Sequence, residues 1–92
     1  MYISSARLTF YIPFSNSLKD KRQIRRHLIE KSINKFNASI AEVATHENHR
    51  TLSIGISIVS SEKSHAQNSL DEVIKFMEEN TDADLVKVED ID

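Results

Sequence analysis

Thr51-Leu52-Ser53-Ile54-Gly55-Ile56-Ser57-Ile58-Val59-Ser60 places four large aliphatic residues at every second position. A period of two puts Leu52, Ile54, Ile56 and Ile58 on one face of an extended chain. Thr51, Ser53, Gly55, Ser57 and Val59 fall on the other. This pattern predicts a half-buried strand, one face on a core and the other open. Gly55 carries no side chain and marks a close approach to the backbone.

The stretches on either side fit around this strand. Upstream, Ala44 to Arg50 is a polar loop, long for a tight hairpin, and Ala38 to Val43 is a short second strand. Further back, Tyr2 to Ile12 alternates again, with Leu8, Phe10 and Ile12 on one face and Arg7, Thr9 and Tyr11 on the other. Pro13 cannot donate to a sheet ladder and closes it. Ser17-Leu18-Lys19-Asp20 then reads as a helix start, a hydroxyl cap with an acid in the first turn. That helix runs to about Phe36. Leu18, Ile29 and Phe36 cluster on one side of it with Leu28 beside them. Arg25 and Ser32 point the same way, so Arg25 is expected to lay its stem on the core and carry its head to water.

Downstream, a second helix runs from about Glu62 to Asn80, with Ala66, Leu70, Val73 and Met77 as a narrow apolar stripe and Ile74 on its edge. Leu85 to Ile91 is a last, acidic strand. The order β-α-β-β-α-β is the split βαβ pattern. Right-handed crossovers place the first and third strands at the centre of the sheet and both helices on one face. The expectation is an α+β, ferredoxin-like sandwich: a four-stranded antiparallel sheet with two helices on one face, as a single domain over residues 1–92. On the open face we expect Tyr11, Val43, Val59, Leu85 and Ile91 among Arg7, Thr9, Ser53 and Lys87.

Composition narrows the function classes. The 92 residues contain no cysteine, so thiolate metal sites and disulfides are out. No apolar run approaches the roughly 20 residues of a membrane span, and the first residues lack the layout of a signal peptide. The expected setting is the cytoplasm, with no membrane partner. One glycine leaves no glycine-rich phosphate loop, and no serine sits in a strand–turn–helix elbow. His46-Glu47-Asn48-His49 spaces its histidines three apart in a loop, where the zinc-protease pattern needs four on a helix. We therefore assign no catalytic residue, metal or cofactor.

The net charge of -2 hides a dipole. Lys19 to Lys35 holds seven basic and two acidic residues, a balance of +5; Glu62 to the end holds ten acids and three bases, a balance of -7. Lys19, Lys21, Arg22 and Arg26 are the candidate phosphate contacts, with Arg25 and Arg50 as helpers. Arg26 and Glu30, four apart, are expected to pair. RNA-recognition modules with this element order stack bases on aromatics of the central strands. Here those positions are hydroxylated, small or aliphatic, and Tyr11 alone is no platform.

These residues resemble the YlxP-like family of small bacterial proteins of unassigned function (DUF503). The likeness spans nearly the whole chain. It rests on Pro13 with Ser17-Leu18-Lys19-Asp20-Lys21-Arg22, on Phe36-Asn37-Ala38-Ser39-Ile40-Ala41-Glu42-Val43, and on Val59-Ser60-Ser61-Glu62 with His65-Ala66 and Asp71-Glu72-Val73-Ile74. The resemblance implies a ferredoxin-like fold and, because the family's genes often lie among translation and ribosome-maturation genes, a link to RNA or the ribosome. The chain departs from the family where His49-Arg50 stand in place of Trp-Gln, at Asn48, which is commonly apolar, and at Arg25 and Ser32, which tend to be apolar. The expected function is a non-enzymatic binding protein associated with RNA or ribosomes through the basic helix. The alternative is a homodimeric interaction protein without nucleic acid. In either case the open sheet face or a sheet edge is expected to support a homo-oligomer.

Overall fold

A computed structural model describes residues 1–91. Six elements follow in chain order: β1 (Tyr2–Tyr11), α1 (Leu18–Lys35), β2 (Ser39–Ala44), β3 (Thr51–Ser60), α2 (Lys63–Glu79) and β4 (Asp84–Ile91). The four strands form one antiparallel sheet in the order β2-β3-β1-β4. The two long alternating segments pair along their full length, from Tyr2 opposite Ser60 to Tyr11 opposite Thr51. The expected ferredoxin-like α+β architecture is the one observed.

The core lies between the sheet and the helices. Leu8 and Phe10 from β1, Leu52, Ile54, Ile56 and Ile58 from β3, and Leu70, Val73 and Met77 from α2 are all buried there. Each such side chain contributes about 1.5 to 3 kcal/mol through the apolar surface it removes from water. The α2 stripe docks as its periodicity predicts. The α1 stripe docks off-centre: Ile29 and Phe36 pack against the core only partly buried, and the fully buried residues are Lys21, Leu28 and Ser32. Ser32 satisfies its hydroxyl by donating to the Leu28 carbonyl at 2.8 Å. At the far end Phe36 meets Phe76 edge to face, centroids 5.4 Å apart, and the Lys35 ammonium sits 4.7 Å from the Phe76 ring centre. Phe76, off the main stripe of α2, is thereby engaged within the monomer, whereas Ile33 stays exposed.

Two bulges reset the face parity of the edge strands. One lies in β4 opposite Thr9 and Phe10: Leu85 pairs with Phe10, but Lys87 pairs with Thr9. The extra residue, Val86, puts Leu85 against the core while Lys87, Glu89 and Ile91 face outward. The expectation that Leu85 faces the open side is therefore corrected. The second bulge falls at Val43, between Glu42 opposite Ile54 and Ala44 opposite Ser53. Its side chain leans over Gly55, where a Cβ would stand 2.7 Å from Val43 Cγ1. The close approach foreseen at Gly55 is this one. Ser53 lies on the open face as expected, opposite Thr9, and is buried there beside Thr45, whose hydroxyl accepts its backbone N–H at 3.2 Å.

Candidate nucleic-acid interface

The start of α1 is built as its sequence suggests. Ser17 is the N-cap and accepts the Asp20 N–H at 3.1 Å, and Asp20 accepts the Asn16 N–H at 3.0 Å. Ser15 is buried and donates to the Ser17 carbonyl at 3.2 Å. This turn fixes where the basic residues of α1 point. The flank carrying Lys35 packs on α2. Lys19, Arg22 and Arg26 recur at intervals of three and four on the flank away from α2. All three are exposed, and among the described residues none reaches a carboxylate at ion-pair distance. The expected Arg26–Glu30 pair is likewise not formed.

Lys21 behaves differently. Its side chain is 2 % exposed, and the ammonium points inward beneath β2. It donates to the carbonyls of Thr45 and, at 2.8 Å, Asn48, and it lies 2.9 Å from Glu42 Oε2. The Oε2 approach is poorly aligned for a hydrogen bond, so the attraction there is chiefly charge on charge. With two protons donated to carbonyls, its charge set against Glu42 and its side chain buried, Lys21 cannot reach a phosphate, and its expected role as a phosphate contact is corrected to a structural one. Arg25 is corrected in part. Its head does not run to water but donates from Nη1 to Glu42 Oε1 at 3.0 Å, leaving the side chain about a third exposed.

Glu42 is the residue that sequence reasoning missed. It stands opposite Ile54 in the ladder, on the helix-facing side of β2, and is 5 % exposed at its side chain. Burial pushes its pKa up. Lys21 and Arg25 more than offset this, with a smaller contribution from His46, and hold the carboxyl below its ordinary value. The signal was present: Glu42 shares parity with Ile40, and an acid facing a core requires a cation from whatever packs above it.

The same cluster shapes the loop of residues 45–50. Thr45 adopts φ 62°, a left-handed conformation costly for a β-branched residue. Its carbonyl accepts from Lys21 and from the Asn48 N–H at 3.0 Å, which holds it there. Arg50 closes the loop onto the start of α1: its Nε donates to the Ser15 carbonyl at 3.2 Å, and its backbone carbonyl accepts the Ile12 N–H at 2.8 Å. Arg50 is exposed, with one edge of its guanidinium anchored at the turn that precedes α1. The six candidate residues thus divide into Lys19, Arg22 and Arg26, free on one flank; Arg50, anchored at the turn before α1; and Lys21 and Arg25, committed to Glu42. Among the described residues no three of His, Cys, Asp and Glu converge as a metal site, and no helix is long and apolar enough to cross a membrane.

Comparison with known proteins places the chain in a family. Residues 3–90 match the family model described as "Protein of unknown function (DUF503)". The chain is 33% identical over 64 residues to "Uncharacterized protein YlxP" of Bacillus subtilis (strain 168), covering 70% of each chain. With nearly its whole length inside the family model, this chain belongs to the DUF503 family.

Proposed function

We infer that this is a non-enzymatic binding protein that contacts RNA, free or in the ribosome, through the outer flank of α1. The observation that carries the reading is the row Lys19, Arg22 and Arg26: three exposed cations on one rigid helix flank, without carboxylate partners among the described residues. The row spans about 10 Å along the helix axis, and Arg50 extends it at the N-terminal end of α1. Cations that form no internal ion pair add to affinity by releasing counterions from phosphates. The contact is to the backbone and not to bases, since the outward face of β3 offers no aromatic platform.

The test is binding of a labelled single-stranded RNA, followed by anisotropy as salt is varied. Three or four phosphate contacts give a log–log slope of about -2 to -3, at about -0.7 per contact. Arg22→Gln or Arg26→Gln lowers the slope by about 0.7 each. Lys35→Gln, on the flank facing α2, leaves it unchanged. A flat salt response, or equal losses at Lys35 and Arg26, would sink the proposal.

A further inference from the structure

The two edges of the sheet are opposites in charge and shape. At one edge lies β2, beneath α1, whose outer flank carries Arg22, Arg26 and the exposed Ile33 beyond the strand. At the other lies β4. Val88 and Asp90 stand opposite Leu8 and Ala6, on the helix-facing side of the sheet, yet Val88 is 47% exposed and Asp90 is exposed too. The helix layer is thus offset. It overhangs the β2 edge and leaves β4 uncovered, with Val86 and Val88 exposed and Asp90 beside Val88 on the helix-facing side, while Lys87, Glu89 and Ile91 face the other way, where Glu89 pairs with Arg7 and Lys87.

We propose that the β2 edge and α1 flank of one copy take the β4 edge of a second copy, extending the sheet head to tail. The strand directions fit, because β2 and β4 run antiparallel to each other across the sheet, as a shared ladder between translated copies requires. The overhanging flank would cover the bare helix-side face of β4, setting Ile33 over Val88 and Arg22 and Arg26 near Asp90. Electrostatics selects this heterologous pairing. Two β2 edges meeting about a two-fold axis would oppose their arginines, and two β4 edges would oppose their carboxylates. The interface is one strand edge and one helix flank, below the size of standard permanent complexes, so association is weak and salt-sensitive.

The experiment uses nuclease-treated full-length protein, because RNA would compete for Arg22 and Arg26. Sedimentation equilibrium over roughly 10 to 500 µM, the range for a sub-standard interface, is expected to show a mass rising with concentration and falling back as salt is added. Ile33→Lys and Val88→Lys change exposed positions, one on each edge, and each variant alone is expected to stay at 10.5 kDa. Mixed one to one, each supplies the edge the other lacks, so a species near twice that mass is expected. A wild-type chain that remains monomeric throughout, variants that dimerise alone, or a mixture that does not associate would each overturn the proposal.

Discussion

Lys21 shows how much of this protein hangs on one side chain. It ties helix α1 to Glu42 on β2 and to two carbonyls of the following loop. Removing one partner of a buried pair strands the other, so Lys21→Met is expected to cost about 2 to 4 kcal/mol, Arg25 retaining part of the compensation. For a domain of this size the melting temperature falls by on the order of 10 °C. Lys21→Met with Glu42→Met is expected to recover only part of the loss, because the Thr45 and Asn48 carbonyls still lose their donor. Full recovery in thermal melts would show that the loop carbonyls do not need Lys21. Glu42 carries a pH signature of its own. Its carboxyl is held below the ordinary value of 4.5, so its contribution is complete above that value and lost as pH falls through the folded value. Glu42→Gln is therefore expected to be less stable than wild type at neutral pH, with the gap narrowing below pH 4.5 in urea titrations. A gap that is constant across that range would contradict the ion-pair account.

Within β2 and β3 the controlling feature is the bulge at Val43. It turns the valine over Gly55 and brings Ala44 opposite Ser53, which lets the chain enter the left-handed turn at Thr45. Gly55→Ala is expected to destabilise by about 1 kcal/mol, the order of a small overpacking strain, since its new methyl must displace Val43 Cγ1. Adding Val43→Ala removes the clashing atom at a half-exposed site, so the double variant is expected to regain most of that loss. If the double variant were no more stable than Gly55→Ala alone, the conflict would lie in the backbone. For α1 the main lesson is that an amphipathic helix can dock with a polar centre. Lys21 and Ser32 occupy the buried line because β2 supplies an acid and the helix supplies a carbonyl.

Across the molecule, the helix layer sits off-centre on the sheet, and this sets which apolar residues matter to folding. Leu8 and Val88 are neighbours in the ladder, yet Leu8 lies wholly inside while Val88 is nearly half exposed. Leu8→Ala is expected to cost about 2 to 5 kcal/mol as a core truncation. Val88→Lys is expected to shift monomer stability by no more than about 0.5 kcal/mol. Urea unfolding of the monomer at low protein concentration checks both. A large loss from Val88→Lys would mean that β4 is covered within the monomer, which would also remove the reason for a second copy to cover it.

The architecture was legible because it depends on local periods and handedness. Alternation in Tyr2–Tyr11 and Thr51–Ser60, the Ser17 cap and the stripe through Ala66, Leu70, Val73 and Met77 each specify an element and its buried side. Right-handed connections leave one arrangement for six such elements. The fate of the charges was not legible in this way. A period tells which side of its own helix Lys21 or Arg25 occupies, but not that Glu42, on a strand some twenty residues away, waits beneath them. Wheel geometry placed Arg25 inward and supplied water as the only partner it could name. The face of Leu85 was misread for a related reason: one inserted residue at the β4 bulge reverses alternation, and the position of a bulge is fixed by the partner strand. Sequence patterning assigned each residue a side of its own element. Contact between elements then decided that Lys21 and Arg25 would neutralise a buried acid, leaving Lys19, Arg22 and Arg26 facing solvent, because a carboxylate removed from water must take its counter-charges from the elements packed against it.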